Sequence, residues 1–322
     1  MIGSACRLWL FTAVLSVFSF AVDAAPQRVS LDYAYYNPLS LLLKEQGWLE
    51  EALADKGVEV RWVHTQGSNR ALEFLRAGAI DFGSTAGSAA LVGRANGLPI
   101  EAIYQYSQPE WTALVTTQDS TIRSVADLRG KRVAVTRGTD PHIFLLRALA
   151  DAGLTERDIQ TVLLQHADGY NALLRGQVDA WAGLDPHMAR AELEADAVLF
   201  HRQPQLNTYG LLNVREAFAQ QHPEIVRTVI AAYERARHYA LDNPEALQQV
   251  LVEAARISPD VAKLQLERTD ISQSDVHDTH RQLLRDTGEV LQSIGILRPR
   301  VDLESTITGL VPRDTQHAEG AQ

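Results

Sequence analysis

Residues 131–154 read KRVAVTRGTDPHIFLLRALADAGL and contain a strand pattern, a polar turn and a helix pattern in that order. The segment RVAV is a short apolar run, TRGTDP is the turn, and apolar residues then recur every three or four positions, so a helix is predicted to begin near Asp140. The first N–H groups of a helix have no intrahelical partner and carry partial positive charge. This arrangement is typical of an anion-binding loop, and also of a capped helix that binds nothing.

A second stretch repeats the same order of elements. Residues 79–82 form a short strand pattern, residues 83–88 (GSTAGS) form a loop rich in hydroxyl groups, and a helix pattern follows as far as Gly97. Hydroxyl groups and the backbone N–H groups at a helix start are both donors for an anion. Two matched units in one chain therefore indicate a shared binding site more strongly than either unit alone.

Strand and helix patterns alternate twice along the chain, and from residue 216 onward the pattern is nearly all helical. The alternation predicts an α/β protein with two domains. The chain is expected to cross between them near residues 106–109 and 207–210. Two crossings at the base of a cleft form a hinge, which places the ligand between the domains. After Pro299 the chain is predicted to be irregular, with a disordered tail over residues 315–322.

The predicted boundaries follow from these crossings. Residues 25–107 and 210–322 are expected to form lobe 1, which is discontinuous in sequence, and residues 108–209 are expected to form lobe 2. Each lobe is predicted to hold a mixed sheet flanked by helices, with the ligand cleft between the lobes.

The chain has 322 residues, a formal net charge of −10 and no block of basic residues. Nucleic acids and anionic membranes bind basic surfaces, so neither is an expected partner. The acidic balance does not argue against an anionic ligand, because local dipoles rather than the net charge set the field in a buried site.

Residues 1–24 have the pattern of a cleavable signal peptide. Arg7 supplies a positive start, residues 8–21 are apolar and uncharged, and small or neutral residues precede a cleavage point after Ala24. The apolar run is shorter than the roughly 20 residues that a membrane-spanning helix needs, although an uncleaved anchor is the alternative. Cleavage would remove Cys6, so no disulfide, thiolate metal site or cysteine nucleophile is expected.

Several segments resemble the substrate-binding proteins of ABC importers for aliphatic sulfonates, taurine and nitrate. They are ALEFL at 71–75, IDFGST at 80–85, SVADLRGKRVAV at 124–135, RGT at 137–139, LRAL at 146–149, VDAWA at 178–182 and DP at 185–186. The likeness runs from about residue 28 to residue 311. The GST loop, and Trp181 followed by Asp185 and Pro186, are most similar to the alkanesulfonate branch.

The resemblance implies the two-lobed periplasmic binding protein fold of type II, with two hinge crossings and a helical C-terminal part. It also implies a monomeric receptor in the periplasm that delivers a small organic anion to ABC permease subunits without a cofactor. The first strand departs from the family pattern. Many members carry a glycine and a polar residue or lysine there, whereas residues 32–38 read DYAYYNP. One wall of the cleft is therefore expected to be unusually aromatic.

A sulfonate is fully ionised at physiological pH and offers only acceptors, so its site needs donors. By resemblance, the head group is expected to contact Ser84 and Thr85 on one lobe and Gly138 and Thr139 on the other. Gly83 and Gly138 would let the backbone approach closely.

Asp140 is the ambiguous residue of this site. It can cap its own helix, since Pro141 suits the first helical position, or it can meet a positive group on an amino-substituted or zwitterionic ligand. Arg137 is the nearest cation, but its position before Gly138 can also turn its side chain out of the cleft.

Other candidate residues are expected to line the cleft without contacting the head group. Trp111, and Tyr35 or Tyr36, could pack the organic tail or simply pack within the lobes. The family pattern adds Asp185, Pro186, His187, Asn207 and Thr208. Asp185 can alternatively cap the helix that follows it.

No catalytic residue and no metal site is expected. His277 and His280 are one turn apart, but no carboxylate or thiol completes a metal shell, so a solvated helix face is expected there. The ligand could also be taurine, a sulfate ester, nitrate or a pyrimidine precursor. A sulfinate-processing enzyme, which in related proteins relies on a cysteine, and a sensor module are the remaining alternatives.

Overall fold

The computed structural model describes residues 26–276 and 278–312. The predicted signal peptide, His277 and the predicted tail over residues 315–322 lie outside the described residues. The strands are β1 Arg28–Tyr33, β2 Glu59–His64, β3 Phe82–Ala86, β4 Ile100–Pro109, β5 Leu114–Thr116, β6 Arg132–Val135, β7 Gln160–Leu163, β8 Ala180–Ala182, β9 Val198–His201, β10 Gly210–Arg215 and β11 Thr269–Asp270. The helices are α1 Pro38–Gln46, α2 Trp48–Leu53, α3 Ser68–Arg76, α4 Gly87–Ala95, α5 Asp140–Asp151, α6 His166–Leu174, α7 His187–Ala195, α8 Glu216–Gln221, α9 Pro223–Asp242, α10 Pro244–Ala255, α11 Pro259–Glu267, α12 Asp278–Ser293 and α13 Leu303–Leu310.

The first sheet has six strands in the order β11-β4-β10-β3-β1-β2. Strand β1 runs parallel to β2 and β3, whereas β10 runs antiparallel to β3 and β4. Short strand β11 pairs with the end of β4. The carboxyl ends of parallel strands meet at one edge of a sheet, so the loops that follow β1, β2 and β3 lie together there.

The second sheet has five strands in the order β7-β6-β8-β5-β9. Strand β6 runs parallel to β7 and β8, and β5 runs antiparallel to β8 and β9. Strands β6 and β8 are continuous apolar runs, as expected of strands that are covered by helices on both faces. Their carboxyl ends open toward the same region as those of the first sheet.

Two connections join the sheets, one over residues 110–113 between β4 and β5 and the other over residues 202–209 between β9 and β10. The backbone N–H of Thr112 in one connection donates to Asn207 Oδ1 in the other at 3.1 Å. This bond holds the two connections side by side. The boundaries predicted for the lobes remain predictions, and the mixed sheets follow the predicted pattern.

The first sheet packs on the long helix α9, which begins with Pro223 at its first position, as helices commonly do. Its buried residues Ile225, Val229 and Tyr233 recur at helical spacing and join the same apolar cluster as Phe82 of β3. In the described residues no helix is long and apolar enough to cross a membrane.

The C-terminal part is helical, but the prediction of an irregular chain after Pro299 is wrong. Helix α13 begins at Leu303, after Asp302 accepts a hydrogen bond from the Ser305 N–H at 3.1 Å. Ile307 and Leu310 of this helix are buried against α4 and α12. The helix predicted from residue 272 begins only at Asp278, because residues 269–270 pair with β4 as a strand.

Candidate ligand-binding site

Four helices begin at one small cavity that lies between the two sheets and has a volume of about 10 Å³, which is room for about one water molecule. We call it the inner cavity. It is lined by Tyr36, Ser68, Ala86, Trp111, Thr139, Asp140, Pro141, His166 and Leu184. In none of the four helices, α3, α4, α5 and α6, does the side chain of the capping residue accept a hydrogen bond from a helix N–H, although the Ser88 N–H of α4 donates to Thr208 Oγ1 at 3.1 Å. Their first N–H groups and the positive ends of their dipoles therefore create a field that favours an anion.

The outer chamber adjoins the inner cavity and has a volume of about 180 Å³. Tyr36, His166 and Leu184 line both spaces, so the two are continuous. The other residues that line the outer chamber are Tyr35, His64, Thr65, Gln66, Ala167, Asp185, Pro186 and His187. Aromatic rings and imidazoles dominate this lining, which agrees with the aromatic wall expected from the first strand.

Ser68 supplies a donor to the inner cavity. Its Oγ accepts a hydrogen bond from the Ala86 N–H at 2.9 Å, and its own proton is not used in any hydrogen bond among the described residues. A hydroxyl that accepts one bond can still donate one. Ser68 therefore ties α3 to the end of β3 and keeps a proton for a ligand.

The Asp140 carboxylate joins both sheets and is not a helix cap. Its Oδ1 accepts hydrogen bonds from the Ser88 hydroxyl and, at 3.0 Å, from the Thr208 hydroxyl. Its Oδ2 accepts from Trp111 Nε1 at 2.9 Å and from the Thr208 N–H at 3.1 Å. The residue that occupies the cap position of α5 is Thr139. The interpretation of Asp140 as a plain cap remote from the site is thus wrong.

Burial raises the pKa of Asp140, and the four hydrogen bonds from Ser88, Trp111 and Thr208 act in the opposite direction. The carboxylate lies at the N-terminus of α4 and in the first turn of α5, where a negative charge is favourable. Within this chain Asp140 is thus an anion held by the kind of donors that were predicted to hold a sulfonate.

A second buried carboxylate uses the donors of Ser84. Asp32 Oδ1 accepts from both the N–H and the hydroxyl of Ser84 at 2.8 Å, and its Oδ2 accepts from the Thr65 hydroxyl at 2.7 Å. Burial raises the pKa of Asp32 to about 6, although these hydrogen bonds lower it. Ser84 Oγ also accepts from Asn37 Nδ2 at 2.8 Å. The donors of Ser84 are therefore occupied within the first sheet.

The structure places Gly83, Ser84 and Thr85 outside the lining of both spaces. Thr85 Oγ1 accepts from Asn213 Nδ2 at 2.8 Å, inside the sheet. A Cβ on Gly83 would lie 2.8 Å from the side chain of Leu75, so packing against α3 explains this glycine. The roles of these three residues in binding a ligand remain predictions.

Thr139, Trp111, Tyr35, Asp140 and Asp185 do line the cavity or the chamber, as expected. Thr139 contributes through its position at the start of α5, because its hydroxyl donates to the Thr136 carbonyl at 2.7 Å.

Gly138 and Asn207 support the site from outside its lining. Gly138 has φ +79°, a left-handed conformation that favours glycine, and a Cβ there would lie 3.7 Å from the Asn69 side chain. Asn207 binds the backbone of the first connection. Arg137 is exposed and pairs with Glu156 at 3.4 Å, so its side chain leaves the cleft.

Asp185 combines two of the predicted roles. Its Oδ1 accepts from the Ala189 N–H at 2.8 Å and so holds the first turn of α7, while the residue also lines the outer chamber. Its Oδ2 lies 3.8 Å from a guanidinium nitrogen of Arg268, which also pairs with Glu192. Burial raises the pKa of Asp185 to about 7, and Arg268 acts to lower it. Arg268 follows α11, so these contacts connect the C-terminal helices to α7.

Sequence analysis did not identify Ser68, Ser88 or His166 as parts of the site. Ser68 and His166 each open a helix directly after a strand, and that pattern could have marked them. Ser88 was included in the hydroxyl-rich loop 83–88 but was not singled out. The prediction of a solvated face is wrong for His280, which is buried against Gln105 and Tyr209. The described part of the chain holds no group of three or more side chains suited to a metal ion.

Comparison with known proteins places this architecture in a family. A family model described as NMT1/THI5 like matches residues 41–247. A protein of Escherichia coli strain K12, named as a candidate aliphatic sulfonates-binding protein, is 30% identical over 224 residues, which are 69% of this chain and 70% of that protein.

Two solved structures have the same fold. The periplasmic aliphatic sulphonate binding protein SsuA from Escherichia coli is 25% identical, with a TM-score of 0.73 over 88% of this chain and 97% of that chain. The alkanesulfonate-binding protein SsuA from Xanthomonas axonopodis pv. citri, bound to MOPS, is 24% identical, with a TM-score of 0.80 over 90% of this chain and 100% of that chain. These likenesses confirm the predicted family resemblance and the periplasmic binding protein fold.

Proposed function

The chain belongs to the NMT1/THI5-like family, and we propose that it is a periplasmic receptor that binds an aliphatic sulfonate and delivers it to an ABC permease. The observation that carries this proposal is the meeting of three helix N-termini, those of α3, α5 and α6, at the inner cavity, none of them capped by the side chain of its capping residue. The names of the similar proteins support the choice of a sulfonate among small anions.

The donors at the inner cavity suit a sulfonate. This head group presents three acceptor oxygens and no proton, and it stays ionised at any physiological pH. Backbone N–H groups at the starts of α3, α5 and α6 and the free proton of Ser68 are neutral donors for such an anion. Lys and Arg are absent from the residues that line the inner cavity, so helix dipoles and neutral donors supply the attraction.

The size of the combined site suits a short organic tail. The inner cavity would widen to admit the head group, and the tail would extend past Tyr36 and Leu184 into the outer chamber. The chamber has room for a short tail, and its volume of about 180 Å³ is smaller than the roughly 300–1,000 Å³ of typical small-molecule sites. Inorganic anions such as nitrate would leave the aromatic chamber unused, which favours an organosulfonate over them.

Closure of the two halves would complete the site, since its lining comes from helices on both sheets. The halves would be lobe 1, residues 25–107 and 210–322, and lobe 2, residues 108–209. The closed form would dock on the permease as a monomer, after removal of the signal peptide at residue 24. We assign no catalytic role to any residue.

A thermal-shift panel tests the proposed function. The purified chain without residues 1–24 is heated with methane-, ethane-, propane- and butanesulfonate, and with taurine, a sulfate ester, nitrate and sulfate. Binding to the folded state raises the melting temperature in a concentration-dependent way. Saturable stabilisation by at least one short sulfonate is expected. No stabilisation by any sulfonate would overturn the proposal, whereas stabilisation by nitrate alone would redirect it to inorganic anions.

A further inference from the structure

His166 lies at the junction of the inner cavity and the outer chamber. It is the first residue of α6, only 2% of it is exposed, and it lines both spaces. The helix α3 start comes close to it, because a Cβ on Gly67 would lie 3.0 Å from His166 Nε2. A ligand that reaches from one space into the other must therefore pass this imidazole.

The hydrogen bonds around Thr136 fix which nitrogen of His166 carries the proton. Thr136 Oγ1 donates its only proton to the Leu164 carbonyl at 2.8 Å. The same oxygen lies 3.2 Å from His166 Nδ1, so Nδ1 must be the donor in that contact. Burial lowers the pKa of His166 to about 3, which keeps the ring neutral. In a neutral ring with a proton on Nδ1, Nε2 is an acceptor.

His166 Nε2 is buried and has no hydrogen-bond partner among the described residues. Buried polar atoms in native proteins are almost always paired, and an unpaired one is costly. The outer chamber holds a second atom of the same type, because Asp185 Oδ2 accepts no hydrogen bond and faces Arg268 only at 3.8 Å. Two acceptors beside one cavity call for a ligand that brings a donor of its own.

We propose that the ligand carries a hydroxyl or ammonium group near its sulfonate, and that this group donates a hydrogen bond to His166 Nε2. This inference rests on the proposed function and narrows it to hydroxy- or amino-substituted alkanesulfonates. His166 would set specificity, because a site that pairs with a ligand donor leaves its own acceptor unpaired when an unsubstituted analogue binds.

Three ligands of nearly equal size separate this inference from the proposed function. They are ethanesulfonate, 2-hydroxyethanesulfonate and 2-aminoethanesulfonate, each titrated calorimetrically into the wild-type chain. At least one of the two substituted ligands is expected to bind about ten- to a hundredfold more tightly than ethanesulfonate. Equal or tighter binding of ethanesulfonate would overturn the inference and leave the proposed function intact. No binding of any of the three would overturn the inference, and it would overturn the proposed function as well only if no other short alkanesulfonate binds.

Two variants test whether His166 causes the preference for a substituted ligand. His166→Phe keeps a flat ring without the acceptor, and it should bind the three ligands with similar affinity. His142→Phe is the matched control, since His142 is also a buried histidine with an unpartnered Nε2 but lines neither space. It should keep the wild-type preference. Retention of the preference in His166→Phe would overturn the assignment of His166.

A measurement on the wild type does not depend on the variants folding. The ¹⁵N chemical shifts of the His166 ring report which nitrogen lacks a proton. We expect an unprotonated Nε2 whose signal moves when a substituted sulfonate binds and moves less with ethanesulfonate. A proton on Nε2 in the free protein would overturn the inference.

Discussion

The carboxylate of Asp140, in the first turn of α5, accepts a hydrogen bond from the hydroxyl of Ser88, in the first turn of α4. The two helices flank different sheets, so this contact joins the halves of the molecule beside the inner cavity. The carboxylate also accepts from Trp111 and Thr208 on the two connections between the sheets. A negative group that belongs to the chain thus lies where the fold attracts anions, and the properties of the site depend on its charge.

Substitution of Asp140 by Asn should tighten sulfonate binding at neutral and alkaline pH. Asn is nearly the same size, and the hydroxyls of Ser88 and Thr208 can reverse to accept from its amide. Removal of a nearby like charge should improve the binding free energy by about 1 kcal/mol or more. Calorimetry with a sulfonate that binds the wild type measures the change.

The pH dependence of sulfonate affinity tests independently whether the charge of Asp140 opposes binding. Because burial raises the pKa of Asp140 and a bound anion raises it further, wild-type affinity should increase as pH falls. Asp140→Asn should lose this increase, whereas Asp168→Asn, which alters an exposed carboxylate in the first turn of α6, should keep it. A pH-independent wild type would contradict this account of Asp140.

Ser68→Ala should weaken sulfonate binding, since Ser68 is the hydroxyl with a free proton at the inner cavity. A hydrogen bond to a charged group contributes about 1.5–3 kcal/mol, so a loss of about tenfold or more is expected. Ser84→Ala is the comparison, because the Ser84 proton is donated to Asp32. It should lower stability with little change in affinity. A large loss of affinity in Ser84→Ala together with little loss in Ser68→Ala would identify Ser84, and not Ser68, as the donor to the head group.

Asp32 should make the folded state less stable as pH rises. Its folded pKa is about 6, above the ordinary value of 3.8, so the folded state holds a proton that the unfolded state has released between these values. Stability from this group is present below pH 4 and is lost as pH rises through 6. Asp32→Asn has no titrating carboxyl group at this position, so its folded state should not lose this stability as pH rises. The difference in unfolding free energy between variant and wild type should therefore grow in favour of the variant by about 1–3 kcal/mol from pH 4 to pH 7. Denaturant unfolding at both pH values measures it, and a constant difference would refute the raised pKa.

Arg268→Met should destabilise the chain, because Arg268 is buried between Asp185 and Glu192 and its loss leaves both carboxylates without a cation. Removal of one member of a buried ion pair typically costs about 3–5 kcal/mol. Arg28→Met is the matched control, since both side chains of its pair with Glu59 are exposed and the pair should contribute less than about 1 kcal/mol. Urea unfolding measures the loss of unfolding free energy in each variant. Equal losses would contradict the claim that the buried pair contributes more to stability than the exposed pair.

The sequence predicted the elements that are local in the chain. The strand, loop and helix order around Gly138 and the start of α9 at Pro223 rest on neighbouring residues, and the structure has them. The connections between the sheets lie at residues 110–113 and 202–209, next to the crossings predicted near 106–109 and 207–210. Strand β11 was missed because two residues carry no periodicity. Helix α13 was missed because residues 303–310, LESTITGL, include β-branched residues and a glycine, which favour a helix only weakly.

The contacts of the candidate site could not be predicted in the same way. Asp140 meets Ser88 from 52 positions away and Thr208 from 68, and Asp32 meets Ser84 from 52. Such pairs depend on how the two sheets are placed, which no local pattern gives. For the same reason the resemblance identified the right loops but not which of their donors remain free for a ligand.

Titration calorimetry with 2-hydroxyethanesulfonate and 2-aminoethanesulfonate tests the central claim most directly. The account predicts saturable binding of one ligand per chain, weakened at least tenfold in Ser68→Ala, because the head group lies at the N-termini of α3, α5 and α6. If neither these ligands nor any unsubstituted short alkanesulfonate binds the folded wild-type chain, the inner cavity is not a sulfonate site and the proposed function is contradicted.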